Sequence, residues 1–189
     1  MLENICIENI WKRGFEDADM IEVEEKARIE ASSNTEKCIK KYQQLEQSRN
    51  GKYISSDLMK LVFDDYAKDI NFRKKYNLAV SNSAACLANK AFREEIANSK
   101  VKHCIFVAGA YGSGKSFLIQ SLYEKNKEEL EDSIVYEGSI TTKAIDEKIE
   151  TALQNGITPS IIVLNPTLEL SMRNIKNRAK RIGRDVRKE

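Results

Sequence analysis

Two prolines, one histidine and one tryptophan in 189 residues exclude several kinds of protein. So little proline rules out a Pro-rich linker or a polyproline stretch. One His, with four Cys that form no C-x-x-C pair, argues against a His/Cys zinc site. Cys6, Cys38, Cys86 and Cys104 are instead expected to be reduced, structural thiols of a cytoplasmic protein. No apolar run approaches the roughly 20 residues of a membrane span. The N-terminus is acidic and lacks a cleavable signal pattern. Internal repeats and low-complexity segments are also absent.

What is present is a charged, helix-rich globular composition, 41% hydrophobic and 32% charged. The net charge of +2 is unevenly spread: residues 173–189 carry eight Lys/Arg against two acids, and the other 172 residues sum to −4. A basic C-terminal end suits an anionic ligand. Its charges are not interleaved with aromatics, so nucleic-acid binding ranks last among the readings.

The most informative segment is Gly109-Ala110-Tyr111-Gly112-Ser113-Gly114-Lys115-Ser116, which fits G-x-x-x-x-G-K-[ST] at every fixed position. The apolar run at 103–108 before it reads as a buried parallel strand. The segment from Ser116 to about Leu130, with Phe117, Leu118, Leu122 and Tyr123 at helical spacing, reads as a helix. This context predicts a phosphate loop, with backbone N–H groups of 109–117 around the phosphates of ATP. Lys115 is expected on the outer phosphates and Ser116 on Mg²⁺.

Along the rest of the chain, residues 1–50 read as a helical N-terminal segment broken near Gly14, and 51–189 as the main domain. Within that domain 51–100 is a candidate substrate-binding segment and 101–189 a nucleotide-binding core, with truncation at its C-terminal end left open. Residues 52–54 read as a short strand, Ser55-Ser56-Asp57 as a helix cap, and 58–66 as a helix. Residues 69–81 read as a mostly polar connection, and a helix starts at Asn82 or Ser83. Strands are expected at 133–137 and 159–164, separated by a helix from Thr141 or Thr142 to Gly156. Pro166 opens a long basic helix that stops near Gly183. Alternating strands and helices predict an α/β fold: a P-loop NTPase-type parallel sheet flanked by helices, with three strands clear. Trp11 is read as a packing residue, and His103 as structural or exposed.

The loop at 109–116, Glu137-Gly138-Ser139 closing the next strand, Asn165-Pro166 and Arg178 together resemble a zeta-toxin-family P-loop kinase. The resemblance implies transfer of the ATP γ-phosphate to a hydroxyl of a UDP-activated amino sugar such as UDP-N-acetylglucosamine. It also implies an antitoxin partner that blocks the nucleotide site. Its substrate-binding part normally follows the loop helix, and here only one helix separates Lys115 from Glu137. Residues 53–60, Tyr-Ile-Ser-Ser-Asp-Leu-Met-Lys, resemble the family's Ile-x-x-Asp-x-x-Lys strand end, which predicts a permuted order with that part upstream. On this resemblance Asp57 is the catalytic base, Glu137 and Ser139 bind the substrate, and Arg178 stabilises transition-state charge. Arg173, Arg181 and Arg184 are further candidates. Asp57 as a plain N-cap remains open, as does Glu137 as an ordinary strand-end carboxylate. The competing function is a degenerate or truncated nucleotide-binding regulatory module without turnover.

Overall fold

Capping decides where the first helix starts. In the computed structural model, which describes residues 7–98, 100–126, 128–138 and 143–182, Asp17 accepts from the N–H groups of Asp19 (2.9 Å) and Met20 (3.2 Å). This cap opens α1 (Ala18–Ser33), and α2 (Thr35–Gln43) follows. Residues 7–17 therefore carry no helix, where one was expected, and residues 1–6 lie outside the described part. Trp11 is 69% exposed and packs into no core, contrary to its reading as a packing residue.

The turn after α2 has left-handed residues at Arg49 and Asn50 and leads into β1 (Tyr53–Ser55). The helix expected over 58–66 is broken into α3 (Ser56–Met59), a 3-10 turn (Lys60–Val62) and α4 (Asp64–Ala67). The polar connection at 69–81 contains α5 (Ile70–Tyr76), because Asp69 caps Asn71 and Phe72 at 2.7 and 3.1 Å. In α6 (Ser81–Ile96), Ala84, Leu87, Ala88, Ala91 and Phe92 bury one stripe. The rest runs β2 (His103–Gly109), α7 (Lys115–Lys125), β3 (Ser133–Gly138), α8 (Lys143–Gln154), β4 (Thr158–Leu164) and α9 (Leu168–Ile182).

Among the described residues, four strands form one all-parallel sheet in the order β1-β3-β2-β4, the three clear ones and the short strand read at 52–54. That short strand, β1, is an edge strand whose residues 53–55 pair with 135–137 of β3. Strand alternation sorts side chains onto two faces. On one face Ile54, Cys104, Phe106, Ile134 and Tyr136 pack against α1, α2 and α6, and Ala152 of α8 joins them. Phe92 of α6 meets Tyr136 edge-on, with ring centres 5.3 Å apart. On the other face Tyr53, Val107 and Val135 pack against Ile119 of α7. The first cluster runs from Ile10 to Ile157, so the N-terminal helices share one core with the sheet across residue 50.

Candidate functional site

Two helices that leave neighbouring strands on opposite sides of a sheet open a crevice at the strand ends. Here α7, which follows β2, packs on one face, and α8, which follows β3, joins the cluster on the other. The C-terminal ends of β2 and β3 therefore flank such a crevice, the usual ligand position in open parallel sheets. The glycine-rich loop leaves β2 there. His103 lies exposed at the start of β2, away from the loop.

The loop is built by close approach. Gly112 has φ +74°, and a Cβ on it would meet the Ser171 carbonyl oxygen at 2.4 Å. Only glycine allows α9 to press this near. Asn174 Nδ2 donates to the Gly112 oxygen at 2.8 Å and ties α9 to the loop. Gly114 (φ +93°) is the N-cap of α7, and a Cβ there would meet nothing within 4 Å, so the space before the helix is open. Lys115 Nζ folds over the loop and donates to the carbonyls of Gly109 (2.9 Å) and Ala110 (3.0 Å). Tyr111 and Phe117 are 62% and 79% exposed, and Ser116 is exposed at the first turn of α7. Ser113 Oγ is buried without a hydrogen-bond partner among the described residues.

The upstream segment reaches the same place. Ser55 stands opposite Glu137 in register, so the chain after β1 emerges beside the end of β3. The cap of α3 is Ser55, whose Oγ accepts from Leu58 N at 3.4 Å; Asp57 is not that cap. Asp57 instead takes an ion pair at 3.1 Å from Lys60, whose side chain is nearly buried and also donates to Asn77 Oδ1 at 2.9 Å. A cleft of about 500 Å³ is lined by Asp57, Ser116 and Glu137. Asn174, Arg178 and Arg181 fall on one stripe of α9, at i, i+4 and i+7. Arg181 lines the cleft and Arg178, half-buried, does not. Arg173 is exposed, and Ser139 and Arg184 lie outside the described residues.

Further cleft residues were not singled out in the sequence. Arg49 and Arg73 line it from the turn before β1 and from α5, with Tyr53, Gln120 and Tyr123. Arg49 lies over the Tyr123 ring at 5.5 Å. Tyr53 donates its hydroxyl to Glu137 Oε2. Burial, then the charge of Glu137, pushes the Tyr53 phenol far up, so it remains a donor. The Asp69 cap was the available signal for α5 and hence for Arg73; nothing local announces Tyr53.

The arrangement fits an anionic, phosphate-bearing ligand. The open space before α7, the N–H groups of its first turn and the Lys115 ammonium supply donors. The orphaned Ser113 hydroxyl adds one more. Among the described residues no three His, Cys, Asp or Glu side chains gather as a metal site. A hydroxyl with one or two carboxylates still suits Mg²⁺, which takes most of its ligands from phosphates and water.

Among the described residues no helix is long and apolar enough to cross a membrane. No family model matches the chain, and no curated protein matches it.

Proposed function

We propose that the protein is an ATP-dependent phosphotransferase of P-loop type, resembling zeta toxins, that moves the γ-phosphate of ATP to a hydroxyl of a small molecule. One observation carries the reading. The pairing of β1 with β3 brings a carboxylate from before the loop strand, Asp57, into one cleft with Glu137 and Ser116. A permuted order of the kinase segments accounts for that juxtaposition; a glycine-rich turn of purely structural purpose does not.

Bound Mg²⁺-ATP supplies the phosphoryl group and neutralises its charge. The N–H groups of 109–117 and Lys115 hold the phosphates, and Ser116 with a cleft carboxylate holds the ion. Asp57, oriented by Lys60, takes the proton of the acceptor hydroxyl on its carboxylate. Glu137 orients the acceptor. Arg181, with Arg178 one turn before it on α9, offers guanidinium donors to the charge that develops in transfer. The resemblance names UDP-N-acetylglucosamine as the first acceptor to try and an antitoxin as the protein partner. Buried thiols at Cys38, Cys86 and Cys104 suit a cytoplasmic setting.

The test is transfer of radiolabelled γ-phosphate from Mg²⁺-ATP to UDP-N-acetylglucosamine, with water as the background acceptor, in wild type, Lys115→Ala and Asp57→Asn. Transfer lost in both variants supports the reading. Nucleotide binding with no turnover in the wild type replaces it with a binding module.

A further inference from the structure

We propose that Tyr53 is a positioning residue for Glu137, holding its carboxylate at the mouth of the cleft in the one orientation that leaves Oε1 for the acceptor. The proposal rests on the phosphotransferase reading above and adds to it a residue that no motif marks.

Tyr53 stands opposite Val135 in the β1–β3 register, two residues before the Ser55–Glu137 pair. Side chains two apart on a strand share a face, so Tyr53, Val135 and Glu137 lie on the same side of the sheet. The Tyr53 residue is 8% exposed and packs with Val107, Ile119 and Val135. That packing fixes the direction of the ring, and the hydroxyl extends along the sheet to Glu137 Oε2. The backbone on either side is fixed as well: Tyr42 donates its hydroxyl to the Tyr53 carbonyl at 2.6 Å and accepts from Ser55 N at 3.1 Å. A rigid phenol on a doubly held strand thus meets a half-buried carboxylate. Among the described residues the Tyr53 hydroxyl is the one side-chain partner seen on the Glu137 carboxylate. With Oε2 committed, Oε1 is the acceptor atom left to face the cleft that both side chains line.

The edge strand of the sheet accordingly has two tasks. It delivers Asp57 through its C-terminal end and aims Glu137 through its first side chain. A phenylalanine at 53 keeps the ring packing and removes the hydroxyl that aims Glu137 and also meets the Ser55 side chain.

The experiment compares wild type, Tyr53→Phe, Glu137→Gln and the double variant in Mg²⁺-ATP turnover with UDP-N-acetylglucosamine and with water. Tyr53→Phe is expected to lower kcat roughly ten- to a hundredfold, the loss usual when a hydrogen bond that orients a site ligand is removed. KM for Mg²⁺-ATP stays unchanged. In the Glu137→Gln background the same substitution changes kcat by less than about twofold, since coupled residues are not additive. A second readout needs no activity. With [¹³Cζ]tyrosine, the Tyr53 resonance, assigned by its loss in Tyr53→Phe, moves in Glu137→Gln. A Tyr53→Phe variant as active as wild type, independent effects of the two substitutions, or an unmoved resonance overturns the proposal. A wild type that turns over no ATP with either acceptor refutes the phosphotransferase reading itself, and the role of Tyr53 falls with it.

Discussion

Removing one oxygen atom from Tyr42 should loosen the strand on which the site depends. Tyr42 is fully buried, and its hydroxyl serves two backbone groups on the outer edge of β1, the Tyr53 carbonyl at 2.6 Å and the Ser55 N–H at 3.1 Å. No strand covers that edge among the described residues, so α2 completes it with a side chain. Tyr42→Phe keeps the ring and leaves a buried acceptor and a buried donor unpaired. Each such loss costs about 1–3 kcal/mol, so the pair should cost about 2–6 kcal/mol. In a chain of this length about 3 kcal/mol lowers Tm by roughly 6–12 °C. Urea unfolding at 25 °C followed by circular dichroism measures the loss, with an unchanged m-value marking a pure stability effect. Hydrogen exchange locates it: the Ser55 amide should lose protection more than amides of β2. A change under about 0.5 kcal/mol with Ser55 still protected would refute the claim that this hydroxyl secures β1.

Other substitutions and conditions separate the remaining contacts. Gly112→Ala should abolish nucleotide binding, measured by calorimetry with Mg²⁺-ATP, because its Cβ would meet the Ser171 oxygen at 2.4 Å. Gly156→Ala, with the same sign of φ but nothing within 4 Å, should cost only about 1 kcal/mol of stability and leave binding intact. Burial lowers the Lys148 ammonium to about 8, below its ordinary 10.5, although it rests 5.0 Å from the Tyr136 ring centre. A depressed folded value means that its stability contribution is complete above about pH 10.5 and is lost as pH falls towards 8. Lys148→Met should therefore exceed wild type in stability at pH 7, by on the order of 3 kcal/mol, and the gap should narrow as the pH of the urea titrations rises above 8. Burial pushes the thiols of Cys38 and Cys104 up to about 11 and 12, so iodoacetamide at pH 8 should label them only after unfolding, as read by peptide mass mapping.

The legible parts of this fold were those whose signals are contiguous. The strand, loop and helix of 103–125 follow one another, so their order is readable along the chain, although the need for glycine at 112 comes from α9. The Tyr53–Asp57 strand end was legible too, as a strand and a cap, but its neighbour was not: pairing with β3 joins residues about eighty positions apart. The same distance hid Tyr53 as a partner of Glu137, and the tie of Tyr42 to the back of β1 depends on how α2 lies against the sheet. Arg73 was missed because α5 is short and carries Lys74 and Lys75 beside Ile70 and Phe72, which blurs the apolar period. On α9 the 3.6-residue period put Arg178 and Arg181 on one stripe, and only the anchoring of Asn174 on Gly112 decides how far along it the cleft extends.

The central claim is that Asp57, encoded before the loop strand, works at the same centre as Lys115. The direct measurement is Mg²⁺-ATP affinity by calorimetry beside γ-phosphate transfer for Asp57→Asn. Wild-type affinity with transfer reduced at least a hundredfold is the predicted result, because a lost base affects the reaction and not the binding of phosphates. Transfer that survives in Asp57→Asn, or a wild type that binds no Mg²⁺-ATP, would contradict the account.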